Sequence, residues 1–492
     1  MISDKKIING IIWRRINMRS VEHLLGVEFM HDLYNRHVPR INFIRFRNTI
    51  TIWKDGIVNS YAPEKDFDLI EKWFGEKFYS LDKITIREFG ILLDSDRIFF
   101  DEQMERFEST DLSVLSNSDL GLFLMDVQQY SLGELYKMNF VQAEYSLTSA
   151  IKRILKEMNP DDSAVDEIFS RIITTDIPTE SQEEEMAFYK IASLKNDKST
   201  SIDDNFSKLL KKHFDNFTYM HCAYGEDPYD YSYYENKFIK FDPSVQTLTP
   251  EEIKNQISTL NEDGRKFLTE LKNDKLNILV PLMIKGGTFR DKNKASLGYT
   301  IKYKHKIFEE INNRKLETRE NLNFYLLSEI LKLLDINIKA SQEIIEKRKN
   351  DGVVLVRSEY METIFDFKVM ELFLPNTIEQ TEKIYKITIL KGRCACSGYV
   401  EGIAKIVYTK ADGFKVKEGD IMVAIGTDFD LMDAIHRSAG IITEEGGLLS
   451  HASVVSREMK KPCIIGVNNA TGIIQDGDRI ILDSKKGFVT IL

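Results

Sequence analysis

The chain has few cysteines, few prolines and no excess of positive charge, and each shortage removes a class of protein. Four cysteines in 492 residues cannot knit a disulfide framework, and the opening stretch MISDKKIINGIIWRRINMRS interrupts its only apolar run with charges. No signal peptide is expected, and the compartment reads as reducing and cytoplasmic. Lys and Arg number 67 against 77 Asp and Glu, a formal net charge of -10, which argues against a nucleic-acid footprint. No uncharged apolar run approaches the roughly 18 residues of a membrane-spanning helix, so a membrane protein is not expected. Cys394 and Cys396 form a lone C-x-C with no second pair at metal spacing and read as core or turn cysteines. Cys463, in an apolar strand, reads as buried. No carboxylate spacing singles out a metal site. Upstream there is no Gly-rich phosphate loop, since MIKGGTF at 283–289 is too short and isolated to count.

What is present is an ordinary globular composition, 42% hydrophobic and 29% charged, in a length that suits two or three domains. The fold class reads as multidomain α+β. A largely helical α+β region spans 1–386, with an internal break near 160–215, and a small β-rich domain spans 387–492. The chain opens with a helical pattern in which Arg14, Arg15 and Arg19 make a basic face. It continues with strand-like alternation in NFIRFRNTITIWKDGIVNSYA, where Asp55-Gly56 is a hairpin turn. In TESQEEEMAFYKIASL, Thr179 or Ser181 can cap a helix, and Glu183, Glu184 and Glu185 read as its solvated start. HFDNFTYMHCAYGEDPYDYSYYENKFIKF reads as a loop with aromatic walls, which lines a pocket or simply packs an interface. Long helices follow in TPEEIKNQISTLNEDGRKFLTELKNDK and IFEEINNRKLETRENLNFYLLSEILKLLDI. From about Ile387 the texture turns to short Val/Ile/Gly runs separated by turns.

Within that last domain, TEEGGLLSHASVVSREMKKPCIIGV (443–467) is the stretch that reads as a site. Gly446 and Gly447 follow a strand, Ser450 stands where a helix N-cap belongs, and His451 falls on the first helical turn. The positive end of a helix stabilises an anion, and a neutral imidazole is nucleophilic near pH 7. Spacing alone favours a plain polar surface histidine. A phosphorylated histidine is the rival that suits the place.

The segment resembles the signature of the PEP-utilising enzyme mobile domain, the swivelling phosphohistidine domain of phosphoenolpyruvate synthase, pyruvate phosphate dikinase, rifampin phosphotransferase and phenylphosphate synthase. Thr443, Gly446, Gly447, Ser450, His451, Ala452, Val455, Arg457, Glu458, Pro462 and Gly466 carry the match, and DGDRIILDSKKGFVTIL resembles the family's closing hairpin. The resemblance implies a small β/β/α swivelling domain in which His451 carries phosphate, supported by Gly446, Gly447, Ser450 and Arg457. Two departures stand out. Leu449 occupies the position before Ser450-His451 where many relatives have threonine, and GTDFDLMDAIHRSAG lacks the prolines that often follow the equivalent of Thr427. His436 in that run reads as a helix-surface histidine.

The resemblance also implies partners. Full-length relatives add an ATP-grasp domain, and some add a barrel for pyruvate or PEP after the histidine. About forty residues follow His451, so no such barrel is expected downstream, and the nucleotide site is expected on a separate ATP-grasp protein together with Mg²⁺. The order of helical region then carrier domain is similar to the latter part of rifampin phosphotransferase and to the carrier subunit of phenylphosphate synthase. The expected function is phosphoryl transfer on His451, from ATP or PEP to an organic hydroxyl compound held by the N-terminal region. Tyr219, His221 and Tyr224, with Phe217 nearby, are the candidate acceptor pocket, and His221, His213 or Glu226 the candidate base. The alternative is a non-catalytic binding or regulatory protein that keeps the swivelling domain.

Overall fold

A computed structural model of the chain describes residues 5–8, 11–21, 24–25, 27–28, 48–93, 97–138, 140–194, 204–225, 230–241, 249–357, 362–364, 389–427, 431–444, 450–467 and 469–492. Two sheets organise it. The first has strand order β1-β2-β4-β3-β5-β6, with β1 Lys5–Ile8, β2 Ile11–Ser20, β3 Thr49–Lys54, β4 Ile57–Pro63, β5 Val353–Arg357 and β6 Glu362–Ile364. Every pairing in it is antiparallel. Asp55 and Gly56 close the β3–β4 hairpin with φ of 52° and 73°, the two positive values that a two-residue turn of the right twist requires.

The opening of the chain is strand, not helix. Ile8 pairs with Ile11, so β1 and β2 are antiparallel neighbours. The β-branched residues on either side of Asn9-Gly10 outweigh the arginine spacing that suggested a helical face. A shift of register between Arg15 and Asn17 sets β2 against β4, with Arg15 opposite Tyr61 and Met18 opposite Asn59.

Helices fill the stretch between β4 and β5. The first is α1 (Glu64–Tyr79), which packs against α2 (Phe140–Met158) through Ile70, Phe74 and Phe78 on one side and Leu147, Ile151 and Leu155 on the other. Thr179 caps α3 (Glu180–Ala192) with a complete capping box to Gln182. The Tyr-rich stretch is helical instead of looped: α4 (Asp204–Phe217) runs into a 3-10 helix over Thr218–Gly225, and α5 spans Tyr231–Lys240. Asp230 caps α5 by accepting the Tyr233 N–H, and Tyr234 and Phe238, four apart on one face, are fully buried.

A 40-residue helix, α6 (Asp274–Asn313), ties the region together. At 1.5 Å per residue it is about 60 Å long. Its first turns, Leu276 to Met283, share a core with α1 and α2, while Tyr303, Ile307, Phe308 and Ile311 join Leu120, Leu124, Val127 and Leu333. The segment 283–289 is simply part of this helix. Among the described residues no helix is long and apolar enough to cross a membrane.

The second sheet is built from residues 389–491, in the order β7-β14-β13-β9-β10-β11-β12-β8. Its members are β7 Ile389–Lys391, β8 Arg393–Cys396, β9 Tyr399–Val407, β10 Ile421–Ala424, β11 Gly440–Thr443, β12 Cys463–Ile465, β13 Arg479–Asp483 and β14 Phe488–Ile491. The strands β9, β10, β11 and β12 are parallel; β10, β11 and β12 are apolar and buried throughout, as strands covered on both faces must be, whereas the first half of β9 is partly exposed. One face buries Ala404, Ile406, Ile421, Val423, Ile442 and Ile464. The other, with Met422, Ala424, Ile441 and Ile465, is continuous with the α1–α2 core. The chain is therefore α+β, with a helical N-terminal region and a small β-rich C-terminal domain.

Candidate functional site

The carboxyl ends of parallel strands are where such sheets place ligands, because the connections that leave the sheet there frame a crevice. At this edge the sequence supplies three chemical groups. Thr427 follows β10, Glu444 follows β11, and His451 begins α8 (His451–Glu458). Ser450 caps that helix from extended geometry (φ -65°, ψ 158°), its hydroxyl accepting the Ser453 N–H at 3.4 Å. The half-buried His451 thus occupies the first turn, at the positive end of the helix, as the sequence predicts.

Thr427 Oγ1 and His451 Nδ1 are 3.0 Å apart. A hydrogen bond at Nδ1 holds the ring in place, and the tautomer decides whether Thr427 donates or accepts in it. Glu444 is anchored to both neighbouring elements: its N–H donates to the Ala424 carbonyl at 3.1 Å, and its Oε1 accepts the Thr471 N–H at 2.7 Å. Its second oxygen, Oε2, accepts from Nη2 of Arg15, in the first sheet, at 3.1 Å. Both side chains of this pair are buried, at 9% and 4% exposure. The basic residues of β2 therefore divide: Arg15 meets the C-terminal domain, and the Arg14 guanidinium lies 4.8 Å over the Phe67 ring.

Other residues named from the sequence lie elsewhere. Gly446 and Gly447 fall outside the described residues. Arg457 sits in the last turn of α8, six positions and about 9 Å along the axis from His451. Its positive charge acts on the thiols of Cys394, Cys396 and Cys463, working against the upward push of burial. Burial pushes those thiols up, Cys394 to about 11 and Cys463 to about 12, which keeps them protonated and inert.

The candidate acceptor residues are only partly described. Tyr219 is buried, stacks on Tyr299 at 3.9 Å and donates its hydroxyl to Glu180 Oε2 at 2.7 Å. Burial and that carboxylate drive its ionisation far upward, so its hydroxyl stays protonated. The side chains of His221 and Tyr224 and the whole of Glu226 lie outside the described residues. His213 is committed to the core: its Nε2 lies 2.9 Å from Glu184 Oε1, and Phe217 and Tyr234 flank its ring at 4.8 and 5.2 Å. It is not placed to serve as a base. The acidic run of α3 is solvated only in part: Glu183 is exposed, but Glu184 is buried against His213 and Lys237.

Glu185 faces the second domain. It lies 3.9 Å from His436 Nε2 on α7 (Met432–Arg437), and the Tyr233 hydroxyl donates to Asp433 of the same helix at 3.3 Å. His436 is thus a junction residue and not a plain surface one. Burial pulls its pKa down to about 4, against the opposing charge of Asp433. Sequence reasoning could not find these contacts or the Arg15–Glu444 pair, because their partners stand 200 or more positions apart.

Residues 416–487 match the family model for the PEP-utilising enzyme, mobile domain. The C-terminal domain is a PEP-utilising enzyme mobile domain. The chain is 38% identical over 111 residues to a probable phosphoenolpyruvate synthase of Archaeoglobus fulgidus, a stretch covering 23% of this chain and 15% of that one. It is 39% identical over 114 residues to the phosphoenolpyruvate synthase of Pyrococcus furiosus, covering 23% and 14%. A pyruvate kinase of Geobacillus stearothermophilus is 49% identical over 75 residues, covering 15% and 13%. The chain therefore spans only a seventh or so of the length of these relatives, and the likeness concerns the mobile domain.

Proposed function

We propose that the chain is the carrier and acceptor component of a phosphotransferase, with 387–492 as the moving carrier and 1–386 as the acceptor-binding region. The observation that carries this reading is the 3.0 Å contact between Thr427 Oγ1 and His451 Nδ1, in a domain of the mobile-domain family. With Nδ1–H donated to Thr427, the lone pair lies on Nε2, which is the nucleophile. In the first step Nε2 attacks the terminal phosphorus of ATP or PEP. An N–P bond forms, the P–O bond to the leaving group breaks, and its electron pair stays on the leaving oxygen. In the second step an acceptor hydroxyl oxygen attacks the same phosphorus. The N–P bond breaks, its electrons return to Nε2, and the hydroxyl proton passes to solvent. The positive end of α8 favours the transferred anion throughout.

The donor site is assigned to a separate ATP-grasp protein, with Mg²⁺ held there beside the nucleotide. Among the described residues of this chain no group of three or more His, Cys, Asp or Glu side chains is arranged to hold a metal, and no step here runs through one. The acceptor is an organic hydroxyl compound bound by the N-terminal region. The test is transfer of label from γ-labelled ATP or from labelled PEP, with and without the ATP-grasp protein, followed by peptide mapping. Base-stable, acid-labile label on the peptide holding His451 supports the carrier role. Label elsewhere, or none with an active donor protein, turns the reading to a binding module.

A further inference from the structure

The buried Arg15–Glu444 pair joins the N-terminal sheet to the edge that presents His451. Glu444 and His451 both stand at the carboxyl edge of the parallel strands, Glu444 directly after β11 and His451 at the start of α8. The Glu444 N–H is bonded to the Ala424 carbonyl, and Thr427, which touches His451, stands three residues past Ala424, at most about 10 Å of chain. Arg15 therefore brings a cation from the first sheet to the same edge of the second sheet that bears His451.

The face of the sheet from which Arg15 comes has further polar groups. Arg15 pairs across the strands with Tyr61 and Met18 pairs with Asn59. Tyr61 and Asn59, two apart on β4, point to the same side as Arg15. Both are buried, at 0% and 3% exposure, and Asn59 Oδ1 has no hydrogen-bond partner among the described residues. A buried carbonyl oxygen without a partner is costly unless something supplies a donor.

We propose that Arg15 is the phosphoryl-binding residue on the acceptor side, with Tyr61 and Asn59 beside it forming the polar wall that receives the hydroxyl acceptor. Without phosphate, the guanidinium rests on the Glu444 carboxylate. When His451 is phosphorylated, the guanidinium exchanges that carboxylate for the phosphoryl oxygens, which carry more charge and accept two parallel N–H bonds. Glu444 thus holds Arg15 in place between turnovers. The inference rests on the carrier role of His451, and its test separates the two.

The full chain is phosphorylated with phosphoramidate, a small donor that needs no partner protein, and the phosphohistidine resonance is followed by ³¹P NMR across pH. Loading of the wild type but not of His451→Ala establishes the carrier step by itself. A guanidinium within reach lowers the midpoint of the phosphoryl titration, by about one pH unit or more. Arg15→Gln is expected to raise the midpoint by that amount, and Arg15→Lys to restore part of it. Glu444→Gln, which removes the competing carboxylate, is expected to lower it. Equal midpoints in wild type, Arg15→Gln and Glu444→Gln overturn the role of Arg15, whereas a chain that takes no phosphate at His451 overturns the carrier reading first.

Discussion

Thr427 and His451 stand 3.0 Å apart, hydroxyl to Nδ1, although 24 residues separate them. The contact joins the end of one parallel strand to the first turn of the helix that follows the next. Removing the hydroxyl while keeping the shape, as in Thr427→Val, leaves the ring free to turn and to place its proton on either nitrogen. Phosphorylation of His451 is expected to slow about 10- to 100-fold, the scale of one positioned hydrogen bond of 1.5–3 kcal/mol, with an unchanged unfolding midpoint. Thr427→Ser should recover most of the rate. Rates come from the accumulation of phosphohistidine in the three proteins.

The Ser450 cap is a separate contribution. Its 3.4 Å bond to the Ser453 N–H is long, so Ser450→Ala is expected to cost about 0.5–1 kcal/mol, the lower part of the range for cap removal. Denaturant unfolding with a constant slope measures it. A cost above that range points to a role for the hydroxyl beyond capping.

Lys304 is fully buried on α6, and burial brings its pKa down to about 7 despite the charge of Glu28. Between pH 7 and the unfolded value of 10.5 the unfolded chain binds the extra proton, so stability rises with pH across that window. Lys304→Met is expected to stabilise the protein at pH 7, by about 1–4 kcal/mol, with the gain shrinking toward pH 10. Thermal unfolding of both proteins at the two pH values decides the point. A gain independent of pH contradicts a neutralised buried lysine.

His436 gives the opposite end of the pH scale. Its depressed pKa of about 4 means that between pH 6.5 and 4 the unfolded chain takes up the proton first, and stability is lost as pH falls through that window. Asp433, Arg437, Lys461 and Lys237 set its field, and Glu185, the group facing it from α3, is itself pushed up by burial, which favours the folded state at low pH and works against the slope. His436→Gln should flatten the decline between pH 6.5 and 4 and leave the stability at pH 8 little changed. Unfolding midpoints across that range test it.

Local chemistry was legible where the physics is local. The Asp55-Gly56 turn, the Thr179 cap, the helix over Pro250–Glu270 and the first-turn position of His451 each depend on residues within four or five positions of one another. The β1–β2 pairing is hidden in the sequence by Arg14, Arg15 and Arg19, which mimic a helix face, and the helices of the aromatic stretch are hidden by Gly and Pro, which mask the four-residue rhythm of Tyr234 and Phe238. The long-range relationships could not be read at all. β5 completes the first sheet from 300 residues downstream, and Arg15 reaches Glu444 across 429 positions. Glu184 looked like one of three solvated carboxylates until His213 and Lys237 closed on it.

The central claim is that His451 carries phosphate. Intact-mass analysis of the full chain, wild type and His451→Ala, after incubation with Mg²⁺ and either ATP or PEP, with and without a candidate ATP-grasp protein, tests it most directly. The account predicts one acid-labile phosphoryl adduct on the wild type and none on the variant, with the productive donor identifying the source of the phosphate. A folded wild type that gains no adduct beside an active donor protein, or an adduct that survives in His451→Ala, contradicts it.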